Sequence, residues 1–221
     1  GTRCWRTAVE LTVDYLLSSW QRPCFDWWEE HSEQVHVSTL GCIAGGLRRA
    51  AADGLVGAER ADRARLAARE ITALIEREGT TDGHLAKWLG SDAVDGSLSA
   101  LIAPLALFPA GSELGRRTIA AIDEQLCVAG GVYRFRADTY YGGGRWPLLS
   151  CFLGLAKAAQ GDRAGARALL EWAAGTATED GLMPEQADGH LLDSAHRQYW
   201  IDRWGLPAIP LLWSHAMLLR L

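Results

Sequence analysis

Apolar residues recur along most of this chain at the three- and four-residue spacing of amphipathic α-helices. The first such segment carries Val9, Val13 and Leu16 on one broad face. Arg22-Pro23 ends that segment, because proline cannot continue a helix. The same spacing predicts eight helices, over residues 5–20, 38–52, 58–77, 97–107, 112–127, 146–160, 163–174 and 208–221.

Two segments lack the helical pattern. Residues 132–141 are aromatic and charged and run into three glycines, and residues 175–207 form a long polar stretch. Loops on a rigid scaffold often carry function, and a loop of that length in a compact domain is usually functional or disordered. No strand pattern of useful length is present. The pattern therefore predicts an all-α architecture of helical hairpins packed side by side, in a single domain over residues 1–221.

The composition narrows the class of protein. The formal net charge of -5 and the pI near 5.7 argue against a nucleic-acid partner. No run of about 18 apolar residues predicts a membrane span, and no signal-peptide pattern is present. The ten tryptophans are typical of clefts that stack on sugar rings, although core packing is the commoner role for any one of them.

The cysteines are odd in number, widely spaced and without a CxxC pair. This usage predicts buried, reduced thiols in a cytoplasmic protein and no zinc site. The spacings of histidine and aspartate match no metal-ligand motif either, so we expect neither a metal nor a cofactor. The cysteines are Cys4, Cys24, Cys42, Cys127 and Cys151.

Two acidic loops carry the candidate chemistry. Glu29 and Glu30 follow two tryptophans shortly after the first predicted helix, and Glu185 lies in the loop Met183–Gln186. Two carboxylates presented by separate loops of one helical scaffold suit acid/base chemistry on a glycosidic bond. Structural roles stay open beside this interpretation, because a Glu-Glu pair is often surface charge and a Pro-Glu step is often an ordinary turn.

Several neighbouring polar residues also have simple structural explanations. We expect Asp26 to cap the acidic turn, and Arg134 or Arg136 has a ready partner in Asp138. Among the histidines, we expect packing within the last helix for one and solvent exposure for two. These are His215, and His190 with His196.

Four motifs follow one another along the chain: the first helix with its Trp-Glu-Glu turn, then Tyr133–Trp146, Leu182–Gln186 and Pro210–Ala216. In this order they resemble the motifs of the glucoamylase family, glycoside hydrolase family 15. The first helix with its Trp-Glu-Glu turn resembles that family's general-acid segment. Each motif alone is weak evidence, whereas four in the right order are far more specific. The other three are a substrate-binding loop at Tyr133–Trp146, a general-base loop at Leu182–Gln186 and a terminal helix signature at Pro210–Ala216.

The resemblance implies an (α/α)6 toroid of helical hairpins and an inverting reaction that releases β-glucose from the non-reducing ends of α-glucosides. It implies that Glu29 is the general acid, which protonates the glycosidic oxygen, and that Glu185 is the general base, which activates water. The residues that the motifs place at the sugar are Trp28, Glu30, Arg134, Tyr140 and Trp146.

The physical requirements of such a reaction agree with these assignments. A general acid must stay protonated near neutral pH, which a neighbouring carboxylate and aromatic desolvation promote, and Trp27, Trp28 and Glu30 flank Glu29. The base must stay ionised, which a polar loop around Glu185 allows. Inversion also needs room for a water between the two carboxyl groups, roughly 6.5–9.5 Å apart.

Eight predicted helices are fewer than an (α/α)6 toroid requires, and the missing part corresponds to the N-terminal side. That part would supply an Arg-Asp pair that grips the terminal glucose. We expect an upstream segment of the same protein to complete the domain; the alternative is a half-barrel without activity. The expected function is hydrolysis of short α-1,6- or α-1,4-linked gluco-oligosaccharides. The alternatives are a trehalase of the same family, a non-catalytic carbohydrate-binding fragment and a helical protein-interaction module.

Overall fold

The computed structural model describes residues 2–221, with side chains from Trp5 onward, and is mostly helical. The α-helices of the described residues are α1 (Thr2–Ser19), α2 (Val37–Ala52), α3 (Ala58–Glu78), α4 (Ser99–Ile102), α5 (Glu113–Leu126), α6 (Pro147–Gln160), α7 (Arg163–Ala174), α8 (Ala195–Trp204) and α9 (Leu212–Arg220). Gly96–Leu98 and Tyr140–Gly142 form 3-10 turns. The short strands are β1 (Thr80–Thr81), β2 (His84–Leu85), β3 (Cys127–Val128), β4 (Gly131–Tyr133) and β5 (Arg145–Trp146).

The first of two compact units contains the residues up to Asp92 together with Leu105–Leu107. Helices α2 and α3 form its central hairpin, and α1 contacts both of them. The predicted end of α2 at Asp53-Gly54 is confirmed, and Gly54 has a φ of 63° that suits a helix end. The core of the hairpin consists of side chains that expose 2% or less of their surface, namely Leu40, Leu47, Ile71 and Ile75.

The second unit contains Ala93–Pro104 and Phe108–Leu221. Helix α6 is its centre and contacts α4, α5, α7, α9 and β4. Leu148, Leu149 and Leu153 of this helix are fully buried, because its N-terminal part is apolar on most of its circumference and has neighbours on several sides. The predicted start of α5 is confirmed, since Ser112 Oγ accepts a hydrogen bond from Gly115 N–H at 3.1 Å. The prediction that residues 1–221 form one catalytic domain stays a prediction.

The expectation that no strands form was wrong for two small antiparallel sheets, β1–β2 and β3–β4–β5. Strands β1 and β2 are joined by Asp82-Gly83, and β3 and β4 are joined by Ala129-Gly130. All four of these turn residues have positive φ, as the tight two-residue hairpin turn requires. Strands of two or three residues are too short to show an alternating pattern, which explains why the sequence did not reveal them.

The fourth and the last predicted helices also needed correction. Helix α4 ends at Ile102 because Ala103, which precedes Pro104, adopts an extended conformation. Helix α9 begins at Leu212 rather than at residue 208. The preceding residues pair with another loop instead, since Ala208 O accepts a hydrogen bond from Glu185 N–H at 2.8 Å.

The segment 175–207 is not a continuous loop, because it contains α8. This helix has no buried residue, so it shows no apolar stripe from which it could be predicted.

The cysteines also differ from expectation. Cys24, Cys42, Cys127 and Cys151 are free, but only Cys151 is buried and Cys24 is exposed; Cys4 lies outside the described side chains. No helix in the described part of the chain is long and apolar enough to span a bilayer.

Candidate active site

The acidic turn of the first unit is organised by Asp26. Its Oδ1 accepts hydrogen bonds from Trp28 N–H at 2.8 Å and from Glu30 N–H at 2.9 Å. Its backbone accepts from Glu29 N–H at 3.3 Å and donates to Glu30 O at 3.2 Å. The prediction that Asp26 caps this turn is confirmed, and the three residues that follow Trp27 are fixed by four bonds to a single residue.

A buried cation supports that cap. Lys87 Nζ lies 3.3 Å from Asp26 Oδ2, and both side chains expose only 3% of their surface. Lys87 is held by backbone pairing, since its carbonyl accepts from Val37 N–H at 3.1 Å. A carboxylate withdrawn from water needs such compensation, because an unpaired buried charge is strongly destabilising.

The side chain of Glu29 is exposed. Its backbone φ is 59°, in the left-handed region that non-glycine residues rarely adopt. Trp28 is buried, with its ring 6.3 Å from that of Trp27, and Glu30 is half-buried. The expected desolvation of Glu29 by its aromatic neighbours is therefore not seen within the first unit, where Trp28 packs inward instead. The role of Glu29 as general acid stays a prediction.

The second unit presents Glu185 in a different environment from the polar, solvated loop that the sequence predicts. The Glu185 side chain is half-buried, and burial raises the pKa of its carboxyl above the ordinary value. A hydrogen bond from the Tyr140 hydroxyl, at 3.4 Å from Oε2, opposes that shift, as do the Ala208 N–H and the Arg134 guanidinium. Burial likewise raises the pKa of Tyr140, so its phenol stays a proton donor.

Arg134 lies near this carboxylate and is surrounded by aromatic rings. Its guanidinium carbon is 4.9 Å from the centre of the Tyr140 ring and 5.6 Å from that of Trp146. The alternative that Arg134 pairs with Asp138 is confirmed, with Nε 2.8 Å from Asp138 Oδ2, whereas Arg136 is exposed. Arg134 exposes only 2% of its surface, so its predicted contact with sugar hydroxyls stays a prediction.

The three glycines before α6 serve the backbone of this site. Gly144 N–H donates to Gln186 Oε1 at 2.8 Å, and a side chain on Gly144 would overlap that oxygen. Gly142 and Gly143 have φ values of 85° and 69°. Glycine is required here by a close approach and by left-handed turns, which explains the run of three glycines.

Helix α9 clamps the loop that carries Glu185. Ser214 Oγ donates to Pro184 O at 3.0 Å, and Met183 N–H donates to His215 Nε2 at 3.0 Å. Because a backbone N–H can only donate, His215 Nε2 must be unprotonated and its proton must lie on Nδ1. His215 thus does more than pack in its helix, while His190 and His196 are exposed as predicted.

The structure therefore gathers Arg134, Tyr140, Trp146 and Glu185 in the second unit, and it holds Trp28, Glu29 and Glu30 in one turn of the first unit. Three further residues support these groups in roles that no local pattern in the sequence indicates: Lys87, Trp200 and the acceptor His215. Among the side chains from Trp5 onward, no three or more His, Cys, Asp or Glu lie close enough together to hold a metal ion.

Comparison with known proteins gives the family. The model of the glycosyl hydrolases family 15 matches residues 2–221, which is nearly the whole chain. This chain belongs to that family. The resemblance inferred from the four motifs is thereby confirmed.

Two proteins of known function are similar to this chain in sequence. The chain is 52% identical, over 222 aligned residues, to an isomaltose glucohydrolase of Kribbella flavida. It is 31% identical, over 156 residues and 68% of its length, to trehalase 2 of Sulfolobus acidocaldarius. The alignments cover 57% of the first relative and 24% of the second, so the chain spans little more than half the length of the isomaltose glucohydrolase.

Solved structures agree with this assignment. A wild-type glycosidase with 50% identity superposes with a TM-score of 0.95 over 97% of this chain and 58% of its own. The glucoamylase of Hormoconis resinae superposes with a TM-score of 0.62 over 93% of this chain at 17% identity, which shows the fold alone. The predicted all-α, glucoamylase-like (α/α)6 fold class is confirmed by these likenesses.

Proposed function

We propose that the protein containing this chain is an exo-acting hydrolase of short α-1,6- or α-1,4-linked gluco-oligosaccharides, with isomaltose as its first candidate substrate. The observation that carries the proposal is the half-buried Glu185 carboxylate. It accepts a hydrogen bond from Tyr140 and faces the Arg134 guanidinium, in a chain that matches its family from residue 2 to residue 221. The 52% identity to an isomaltose glucohydrolase supports the choice of isomaltose.

The proposed reaction is a single displacement. Glu185 removes a proton from water while the water oxygen forms a bond to the anomeric carbon. At the same time the bond between the anomeric carbon and the glycosidic oxygen breaks, and Glu29 gives its proton to that glycosidic oxygen. The product is β-glucose. Variants of the related glycosidase support the pairing, since two of them replace glutamates whose spacing is within one residue of that between Glu29 and Glu185. One of those variants was solved with glucose bound.

The remaining predicted residues take roles on the sugar in this proposal. Tyr140 and Trp146, which stand over the Arg134 guanidinium, offer aromatic faces to the glucose ring. Arg134 supplies a positive charge behind them. Glu30 contacts the sugar on the leaving-group side, and Trp28 helps to shape the sugar site.

The proposal includes a further part of the polypeptide, which completes the catalytic domain as the chain's partner. The support is that the chain spans 57% of the isomaltose glucohydrolase and that α1 exposes large apolar side chains. Trp5, Leu11 and Tyr15 each expose 66% or more of their surface. We place the reaction in the cytoplasm, because Cys24, Cys42, Cys127 and Cys151 are free thiols. The intact mass of the protein from its source tests whether a further part of the polypeptide exists. We expect a value well above 24.1 kDa.

A panel of disaccharides tests the function. We expect the intact protein to release glucose from isomaltose faster than from maltose, and from trehalose slowest. Fastest release from trehalose would favour a trehalase, which the 31% identity to trehalase 2 makes the second candidate. Calorimetric binding of isomaltose without release of glucose would instead identify a carbohydrate-binding protein and refute the proposed hydrolysis.

A further inference from the structure

Helix α8 packs on the loop that carries Tyr140. The Trp200 ring lies 5.0 Å from the Tyr140 ring at an angle of 65°, and 6.1 Å from the Tyr141 ring. Two backbone hydrogen bonds join that loop to the segment just before the helix: Leu192 N–H donates to Gly143 O, and Asp193 N–H donates to Gly142 O. The helix is therefore attached to the Tyr140 loop by both backbone and rings.

The Trp200 side chain contacts its neighbours through its ring. Its indole nitrogen is buried and has no hydrogen-bond partner among the described residues. A buried donor without an acceptor costs about 1–3 kcal/mol, so hydrogen bonding does not explain a tryptophan here. A phenylalanine would keep the edge-to-face contact with Tyr140 and remove the unsatisfied donor.

Two further groups contact the Tyr140 ring. The Arg134 guanidinium lies 4.9 Å from the ring centre, and the Tyr141 ring lies 4.7 Å away at an angle of 85°. The Tyr140 hydroxyl lies 3.4 Å from Glu185 Oε2. Removing Trp200 opens one side of the ring, and the phenol then gains rotational freedom that competes with this hydrogen bond.

We propose that Trp200 is a positioning residue for the general base: by packing against Tyr140 it keeps the phenol hydrogen bond on Glu185 and so sets the pH above which the base is ionised. The inference rests on the proposed function of Glu185. It gives α8 a role in the reaction although none of its residues is buried.

The groups that face Glu185 decide the direction of the effect. They are the phenols of Tyr140 and Tyr141, the Arg134 guanidinium and the Ala208 N–H. Burial raises the pKa of Glu185, and the Tyr140 hydrogen bond opposes burial. Loss of that bond therefore raises the pKa further, and the acid limb of the activity profile moves to higher pH.

The test compares Trp200→Ala with Trp200→Phe in the intact protein. Two quantities are measured: the pH dependence of kcat, and the 13C NMR titration of the Glu185 carboxyl. Trp200→Ala is expected to move both to higher pH, and Trp200→Phe is expected to restore them. In a Tyr140→Phe background, Trp200→Ala should add no further shift, because both changes act through one hydrogen bond.

Trp204→Ala is the matched control, since Trp204 lies on the same helix with 66% of its surface exposed. An unchanged Glu185 titration in Trp200→Ala, or a shift that persists in the Tyr140→Phe background, overturns the inference. The titration needs no turnover. A wild-type protein that shows the coupling but does not hydrolyse isomaltose would contradict the proposed function, whereas an active protein without the coupling would contradict only the role of Trp200.

Discussion

The phenol oxygen of Tyr140 lies 3.4 Å from Glu185 Oε2 and donates a hydrogen bond to it. The two residues are 45 positions apart in the chain. Burial raises the pKa of Glu185, while this bond and the charge of Arg134 act in the opposite direction. Burial of the proposed base therefore disfavours its ionised form, and the neighbouring hydrogen-bond donors and charge offset part of that effect.

Replacing Tyr140 with phenylalanine removes that hydroxyl and keeps the ring. The pKa of Glu185 should rise, and the acid limb of the kcat profile should move to higher pH, because only the ionised carboxylate accepts the proton of water. At the pH optimum we expect a loss of about ten- to a hundredfold, the order of one hydrogen bond to a charged group. Tyr199→Phe is the control, since Tyr199 is 53% exposed on α8. An acid limb that stays in place, or moves to lower pH, would contradict the assigned hydrogen bond.

The buried pair of Lys87 and Asp26 should dominate the stability of the Glu29 turn. Lys87→Met leaves the Asp26 carboxylate buried without its cation, and we expect the free energy of unfolding to fall by about 3–5 kcal/mol in urea titrations. Adding Asp26→Asn should recover part of the loss, since the amide oxygen still accepts from the turn. The exposed pair of Arg77 and Glu78 provides the comparison, because Arg77→Met should cost about 1 kcal/mol or less. If Lys87→Met and Arg77→Met lowered the free energy of unfolding equally, Lys87 would not be compensating the buried charge of Asp26.

The fold was largely predictable where a helix buries one face. The apolar spacing placed α2, α3, α6 and α7 within a few residues of their observed ends. Helix α8 was missed because none of its residues is buried, and strands β1 to β5 were missed because each has only two or three residues. Periodicity reports burial against a core, so it does not reveal elements that are held by turns and rings.

The candidate site was predictable in a different way. The motifs make Glu29, Glu185, Arg134 and Tyr140 the candidates, because short runs of residue types are visible in one sequence. The groups that support them are not local: Lys87 reaches Asp26 across 61 positions. Such a pairing depends on where the fold brings two segments, and neither residue type alone predicts the other.

His215 should act on the base through the backbone of its loop. His215→Phe removes the acceptor of Met183 N–H, and we expect kcat for isomaltose to fall by about tenfold, the order of one hydrogen bond. His215→Gln retains an acceptor oxygen and should recover part of this loss. The control is His196→Phe, because His196 is exposed on α8. Full activity in His215→Phe would show that the Glu185 loop does not need this clamp.

The two proposed catalytic carboxylates should each be indispensable. Glu29→Gln and Glu185→Gln should lower kcat by roughly 10²- to 10⁴-fold, since each variant loses proton transfer in the transition state. Glu33→Gln and Glu179→Gln make the same chemical change at exposed positions in the same two segments and should leave kcat within about twofold of wild type. If either Glu29→Gln or Glu185→Gln retained near-normal turnover, that residue would lose its assigned role.

The anomeric form of the glucose first released from isomaltose distinguishes inversion from retention. Proton NMR, recorded before mutarotation, separates the two anomers. We expect β-glucose, because water activated by Glu185 attacks the face opposite to the leaving group that Glu29 protonates. Release of α-glucose would mean that a carboxylate attacks the sugar instead, and it would contradict the single-displacement mechanism proposed for this chain.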